Sequence, residues 1–134
     1  MTPDEERPVT LVLDRSAVLA YLAGSIHATE PVGEVIEDRQ RFGITAVTVA
    51  EALALVTNPK DREDLHVLLR MDACAVLSTW GEDWLELSYW RGVTSRADLA
   101  TTAMAALEHR ASILTREGAL YGTDGHLPVI YMPQ

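Results

Sequence analysis

The sequence predicts an α/β domain built on a mainly parallel sheet. Two observations carry this. Short β-branched and aliphatic segments alternate with amphipathic stretches at helical spacing along the chain. Caps and turn residues, rather than linkers, separate them, and no internal repeat or low-complexity tract divides the 134 residues. With 48% apolar and 23% charged residues, the composition is that of an ordinary globular domain with a real core. One domain is expected at residues 10–134, behind a polar tail of residues 1–9.

Taken in order, Thr10-Leu11-Val12-Leu13 reads as a central strand ending at Asp14. Ser16 is a plausible N-cap for a short helix from Ala17 to Ala23, closed by Gly24. Thr29-Glu30-Pro31 reads as a helix start with proline in the first turn, Val32, Val35 and Ile36 form its apolar face, and Gly43 ends it. Ile44–Val47 reads as a short strand or an extended entry, after which Thr48 caps the next helix with Glu51 three residues on, as in a capping box. Asn58-Pro59 stops that helix. Lys60–Met71 is an amphipathic helix, Ala73–Leu77 a strand, and Ser78–Gly81 a turn. Glu82–Arg91 is a helix whose Trp84, Leu87 and Trp90 share one side, which favours core or dimer packing for the tryptophans over base stacking. Ala97–Arg110 carries the core stripe Leu99, Ala100, Ala103, Met104 and Leu107. Ser112–Thr115 is a strand, Glu117–His126 a loop, and Leu127–Tyr131 a last strand.

Several function classes are disfavoured. The net charge of −9 argues against holding nucleic acid by a broad surface field, though it weighs less against a nuclease whose acids bind a cation. The apolar stretches 44–56 and 99–107 are interrupted and shorter than the roughly 20 residues of a membrane span. The polar, acidic N-terminus lacks the features of a secretory signal, so a cytoplasmic location is expected. Cys74, the sole cysteine, reads as a buried strand residue. The four histidines lack zinc-ligand spacing, and there is no Gly-rich phosphate loop or nucleophile elbow.

Four carboxylates stand out: Asp14, Glu51, Asp98 and Glu117. Each sits at the edge or centre of an apolar segment, where an ionised carboxylate is costly unless compensated. Asp14 and Glu117 follow strands, while Glu51 and Asp98 fall in the first turns of helices, so all four can meet at the carboxyl edge of the sheet. Carboxylate oxygens clustered there suit Mg²⁺ or Mn²⁺. Structural readings stand beside this one. Ser95-Arg96-Ala97-Asp98 and Thr48-Val49-Ala50-Glu51 both fit capping boxes, Asp14 fits a turn, and Glu117 fits an exposed loop. If the acids crowd together, relief of repulsion predicts that Asp98→Asn leaves the metal-free fold as stable or more stable.

Three segments in the same order carry a resemblance. Val12-Leu13-Asp14-Arg15-Ser16-Ala17-Val18-Leu19 resembles the opening strand and D-x-S of PIN domains, specifically of the VapC-type toxins of bacterial toxin–antitoxin pairs. Ile44–Glu51 resembles the segment bearing the second acid, and Arg96–Ala100 through Ile113–Glu117 to Leu127–Ile130 the C-terminal third. The resemblance implies a three-layer α/β/α PIN-like domain acting as an Mg²⁺- or Mn²⁺-dependent endoribonuclease, the toxin of such a pair. It implies Asp14, Glu51, Asp98 and Glu117 as catalytic and metal-binding acids, with the hydroxyls of Ser16 and Thr115 beside them. Its partners would be RNA, a small cognate antitoxin and a second copy of the chain, with Tyr21 and Leu22 at the dimer contact. Two positions depart from the pattern. Glu117 is one methylene longer than the usual Asp, with Asp124 a candidate substitute, and Arg15 replaces a small or neutral residue, bringing a cation able to pair with an acid and compete with metal. A PIN-like domain with weak or no catalysis, serving as an interaction or regulatory module, is the alternative.

Overall fold

The structure, a computed structural model, describes residues 7–122, 125 and 127–133. Strands β1 (Val9–Leu13), β2 (Arg41–Thr45), β3 (Cys74–Leu77), β4 (Ser112–Thr115) and β5 (Val129–Tyr131) form a five-stranded sheet in the order β3-β2-β1-β4-β5. Every pairing is parallel. The helices are α1 (Arg15–Leu22), α2 (Ile26–Glu37), α3 (Ala46–Leu55), α4 (Pro59–Leu69), α5 (Trp84–Thr94) and α6 (Ala97–His109), with 3₁₀ turns at Gly81–Asp83 and Gly118–Tyr121. From β1 the chain winds outward to β2 and β3, then returns through α5 and α6 to β4 on the other side of β1. That reversal makes the carboxyl ends of β1 and β4 the switch point of the sheet, where such folds leave a crevice.

Two apolar layers sandwich the sheet. Leu11, Leu13, Phe42, Ile44 and Leu114 pack with Ala17 and Val18 of α1, Val32 of α2, Ala52 of α3, and Leu65 and Leu68 of α4. On the opposite face Val12 and Ile113 meet Leu99, Ala100 and Ala103 of α6 and Trp90 of α5. This is the expected three-layer α/β/α arrangement. A register slip between Val9 and Leu11 puts Val9 on the same face as Val12, as an extra residue in a strand must. Full burial of each large aliphatic side chain contributes about 1.5–3 kcal/mol. At the sheet's start, Arg41 donates to the carbonyls of Arg7 and Pro8 (2.9 and 2.8 Å), and β1 opens at Val9, one residue before the expected domain boundary.

Several helix starts differ from expectation, each because a nearer oxygen caps first. Asp14, not Ser16, caps α1, accepting from the Ala17 N–H. Ser25 caps α2, so Pro31 lies inside the helix rather than in its first turn. Thr45 caps α3 by accepting from Thr48 N–H (3.2 Å), which moves Glu51 out of the first turn and removes the expected capping box. Ser95, with φ 63°, is the left-handed C-cap of α5 rather than an N-cap, so the Ser95–Asp98 box is also absent. Gly24 (φ +78°) closes α1 as expected. Gly43 lies within β2, where a Cβ would press on Leu77 and Val9. The tryptophans divide: Trp90 enters the core, while Trp80 and Trp84 are 58% and 66% exposed, so core packing, one half of the expected core or dimer packing, holds for Trp90 alone. Among the described residues no helix is long and apolar enough to cross a membrane.

Candidate functional site

Asp14 stands at the end of the central strand, level with Thr115 of β4 because Leu13 pairs with Leu114. It is fully buried. Its Oδ1 accepts from Ser16 Oγ (2.6 Å) and the Ala17 N–H (3.0 Å), and its Oδ2 accepts from Tyr121 Oη (2.8 Å). Burial pushes the Asp14 carboxyl upward, and the hydrogen bonds from Ser16, Thr115, Tyr121 and the Ala17 amide only partly offset this. The Tyr121 hydroxyl is held well above its ordinary range by burial, then by the charge and hydrogen bond of Asp14 and the charges of Asp98 and Glu117. Ser16 Oγ lies 3.3 Å from Thr115 Oγ1 and accepts from the Arg116 N–H (2.8 Å), while Thr115 Oγ1 accepts from the Glu117 N–H (2.8 Å). The two hydroxyls thereby tie the end of β1 to the turn after β4. Gly118 starts that turn beneath the ring of Tyr131, where a side chain would collide, and the turn delivers Tyr121 to Asp14.

Asp98 lies in the first turn of α6, almost as buried as Asp14 at 3% exposure. Its surroundings are different in kind. Arg96 donates from Nε to Asp98 Oδ1 (3.0 Å) and from Nη2 to Oδ2 (2.7 Å), a bidentate pair. The same guanidinium donates from Nη1 to both oxygens of Glu117 (3.0 and 3.1 Å). Burial alone would raise the Asp98 carboxyl, but the hydrogen bonds and charge of Arg96, helped by the charge of Arg15, hold it below its ordinary value. Hydrogen bonding to Asp98 in turn raises the Arg96 guanidinium further. The Asp98 carbonyl accepts from the hydroxyls of Thr101 and Thr102 (2.9 Å each), and Thr101 Oγ1 is 2.8 Å from Thr45 Oγ1. A buried threonine cluster thus fixes the start of α6 against the end of β2.

Glu51 stands apart. Its side chain is 47% exposed on α3 and faces Arg15 Nη1 at 3.9 Å, so Arg15 does pair with an acid, at the outer limit of an ion pair. Asp124 lies outside the described residues. The structure therefore gathers Asp14, Asp98 and Glu117 around Tyr121 and Arg96, with Ser16 and Thr115 alongside and Glu51 on the rim. Cys74 is uninvolved, its thiol pushed up to about 11 by burial.

Arg96 and Tyr121 are the members that the sequence reading missed. Arg96 had a signal: a cation at a helix N-terminus is opposed by the helix dipole and needs acids to hold it there. Tyr121 had none, since its partner is 107 residues away.

As arranged, these residues do not fit a divalent cation. Every carboxylate oxygen of Asp14, Asp98 and Glu117 already accepts from a protein donor. Among the described residues, no three acids, histidines or cysteines lie close enough together to share an ion. The expected relief of acid repulsion also falls away, because Arg96 neutralises the pair that would repel.

No family model matches the sequence, and no curated protein matches it. Among solved structures, the chain is similar to a chain of VapBC2 from Rickettsia felis, crystallised bound to a DNA fragment from their promoter. The TM-score is 0.70 at 10% sequence identity, over 92% of this chain and 98% of that one. At that identity the likeness is one of fold, and it agrees with the PIN-like architecture that the sequence resemblance implied.

Proposed function

We propose that this chain is a PIN-type endoribonuclease, the toxin component of a toxin–antitoxin pair, acting on RNA with Mg²⁺ or Mn²⁺. The observation that carries the reading is the fully buried Asp14 at the switch point of a doubly wound parallel sheet, with Asp98 and Glu117 beside it. An acid so placed is costly to the fold and finds its use in chemistry at that edge. The fold shared with VapBC2 over 92% of the chain supports the toxin assignment and a small antitoxin partner. In this reading Asp14, Asp98 and Glu117 form the acidic centre, Glu51 contributes from the rim, and Ser16 and Thr115 keep Asp14 in place. The metal belongs to the proposal and not to the arrangement described above, which must open before an ion can enter. A homodimer through the N-terminal helices completes the proposal. Tyr21 and Leu22 are half-buried against the core and line a cleft of about 240 Å³ with Val67 and Leu68, leaving an edge that a second copy can cover. Sedimentation showing only monomer would remove the dimer and leave the nuclease standing.

The test is cleavage of a broad RNA panel by protein freed of any inhibitor, with Mg²⁺, with Mn²⁺ and with EDTA. Cleavage that requires the metal and disappears in Asp14→Ala supports the nuclease. A second reading, a catalytically silent interaction module, is favoured by one observation: Arg96 already satisfies Asp98 and Glu117. Absence of cleavage with either metal across the panel selects it.

A further inference from the structure

We propose that Arg96 is the resident counter-cation of the acidic site, an internal latch that holds the place of a divalent ion and must swing out before one binds. The inference rests on the nuclease reading for the ion's purpose, but the geometry that carries it is independent of any activity. One guanidinium spans both acids with four hydrogen bonds of 2.7 to 3.1 Å. It donates to every carboxylate oxygen of Asp98 and Glu117 and sets a full positive charge against any ion approaching them, and it is a cation at any physiological pH.

The backbone beneath it is fixed. Thr94 Oγ1 donates to the carbonyls of Trp90 (2.7 Å) and Arg96 (3.0 Å), and Ser95 turns the chain in the left-handed region immediately before it. Arg96 stands at the N-cap position of α6, where a guanidinium has no acceptor to offer an amide, and its side-chain bonds go to the two acids. At a helix N-terminus the dipole repels a cation, which leaves the acids as the attraction that keeps Arg96 inward. A quarter of the side chain is exposed, so it already meets solvent at the rim of the site.

Glu117 gives the latch its second point. Its carboxylate meets Arg96 Nη1 with both oxygens, while its own N–H is tied to Thr115 Oγ1 beside Asp14. Arg96 thus bridges the turn after β4 to the start of α6. An ion competing for these acids meets a site whose open form is a minor population, so its apparent affinity falls by the open fraction.

The experiment titrates Mn²⁺ alone into the full chain and into Arg96→Gln by calorimetry, with thermal melts in parallel. The expected result is that Arg96→Gln binds Mn²⁺ at least about 10-fold more tightly than wild type, the removal of a minor-population penalty. Its metal-free melting point should be lower than wild type's and be raised by Mn²⁺. Equal affinities, or a folded Arg96→Gln that binds no Mn²⁺, would overturn the latch. If Arg96→Gln does not fold, Arg96→Lys serves, since an ammonium keeps the charge but cannot span both acids with a planar fork. Tighter Mn²⁺ binding than wild type supports the latch there, and equal or weaker binding refutes it. RNA cleavage separates the two claims. Tighter Mn²⁺ binding by Arg96→Gln without cleavage keeps the latch and sinks the nuclease, whereas Mn²⁺-dependent cleavage by wild type with unchanged affinity in Arg96→Gln does the reverse.

Discussion

Asp14 and Asp98 are the same residue type, almost equally buried, at the same edge of one sheet, yet their acidities move in opposite directions. Among the described residues Asp14 is met by neutral donors, a serine, a threonine, a tyrosine and an amide. Asp98 is met by a guanidinium. Burial raises both, and the formal charge of the partner decides which way each ends. The site therefore has a strained half, where a carboxylate is kept without a counter-charge, and a satisfied half, where an internal cation has supplied one.

That contrast can be broken from the satisfied side first. Arg96→Ala leaves Asp98 buried and unpaired and frees Glu117, and removing one partner of such a pair costs about 3 kcal/mol or more. Denaturant midpoints without metal should show it, and a change of a few tenths would mean that the bridge contributes little. Asp98→Asn keeps an acceptor but loses the charge that Arg96 pairs with, so a smaller loss of about 1.5 kcal/mol is expected in the same assay. Asp14→Asn should stay within about 1 kcal/mol of wild type, because it removes a charge that burial penalises while keeping an acceptor for Ser16 and Ala17. If Asp14→Asn is the more damaging of the two, the assignment of strained and satisfied halves is inverted.

The pH dependence sharpens the same comparison. Asp14's folded value is raised above 3.8, so the native state takes up its proton first as pH falls. The Asp14 contribution, wild type minus Asp14→Asn, should therefore grow as pH falls through the raised value toward 3.8 and be unfavourable above it. Asp98's folded value is lowered, so its contribution is present above 3.8 and is lost as pH falls through the folded value. Urea midpoints across the acid range should give difference curves of opposite slope, and parallel curves would contradict the contrast. Tyr121→Phe deprives Asp14 Oδ2 of its donor and should cost about 1 kcal/mol by the same denaturant midpoints.

Much of this was legible from residue order. The strands, the α/β alternation and the positions of Asp14 after Leu13 and Glu117 two residues after Thr115 follow from short, nearly continuous apolar runs closed by polar residues, as strands covered on both faces require. Helix starts were less legible because Asp14, Ser25 and Thr45 compete with nearby Ser16, Thr29 and Thr48 for the same capping role, and the winner is set by where the preceding strand or turn ends. Trp84 shares a helical stripe with Trp90, but only Trp90 reaches the core, since spacing gives a face without saying how far along the helix the core extends. The bridge from Arg96 to Glu117 and the bond from Tyr121 to Asp14 were invisible, because each depends on how α6 and the turn after β4 are brought to the end of β1.

The most direct test of the account is a pair of crystal structures grown in Mn²⁺, of wild type and of Arg96→Gln, read by the anomalous signal of the metal. The account predicts Arg96 seated on Asp98 and Glu117 in wild type at low Mn²⁺. In Arg96→Gln it predicts an ion bound by Asp98 and Glu117, the acids that Arg96 releases, at the roughly 2 Å typical of carboxylate oxygens on small divalent cations. A variant in which the acids stay apart with no ion, or a wild type that holds the ion while Arg96 still grips both acids, would contradict it.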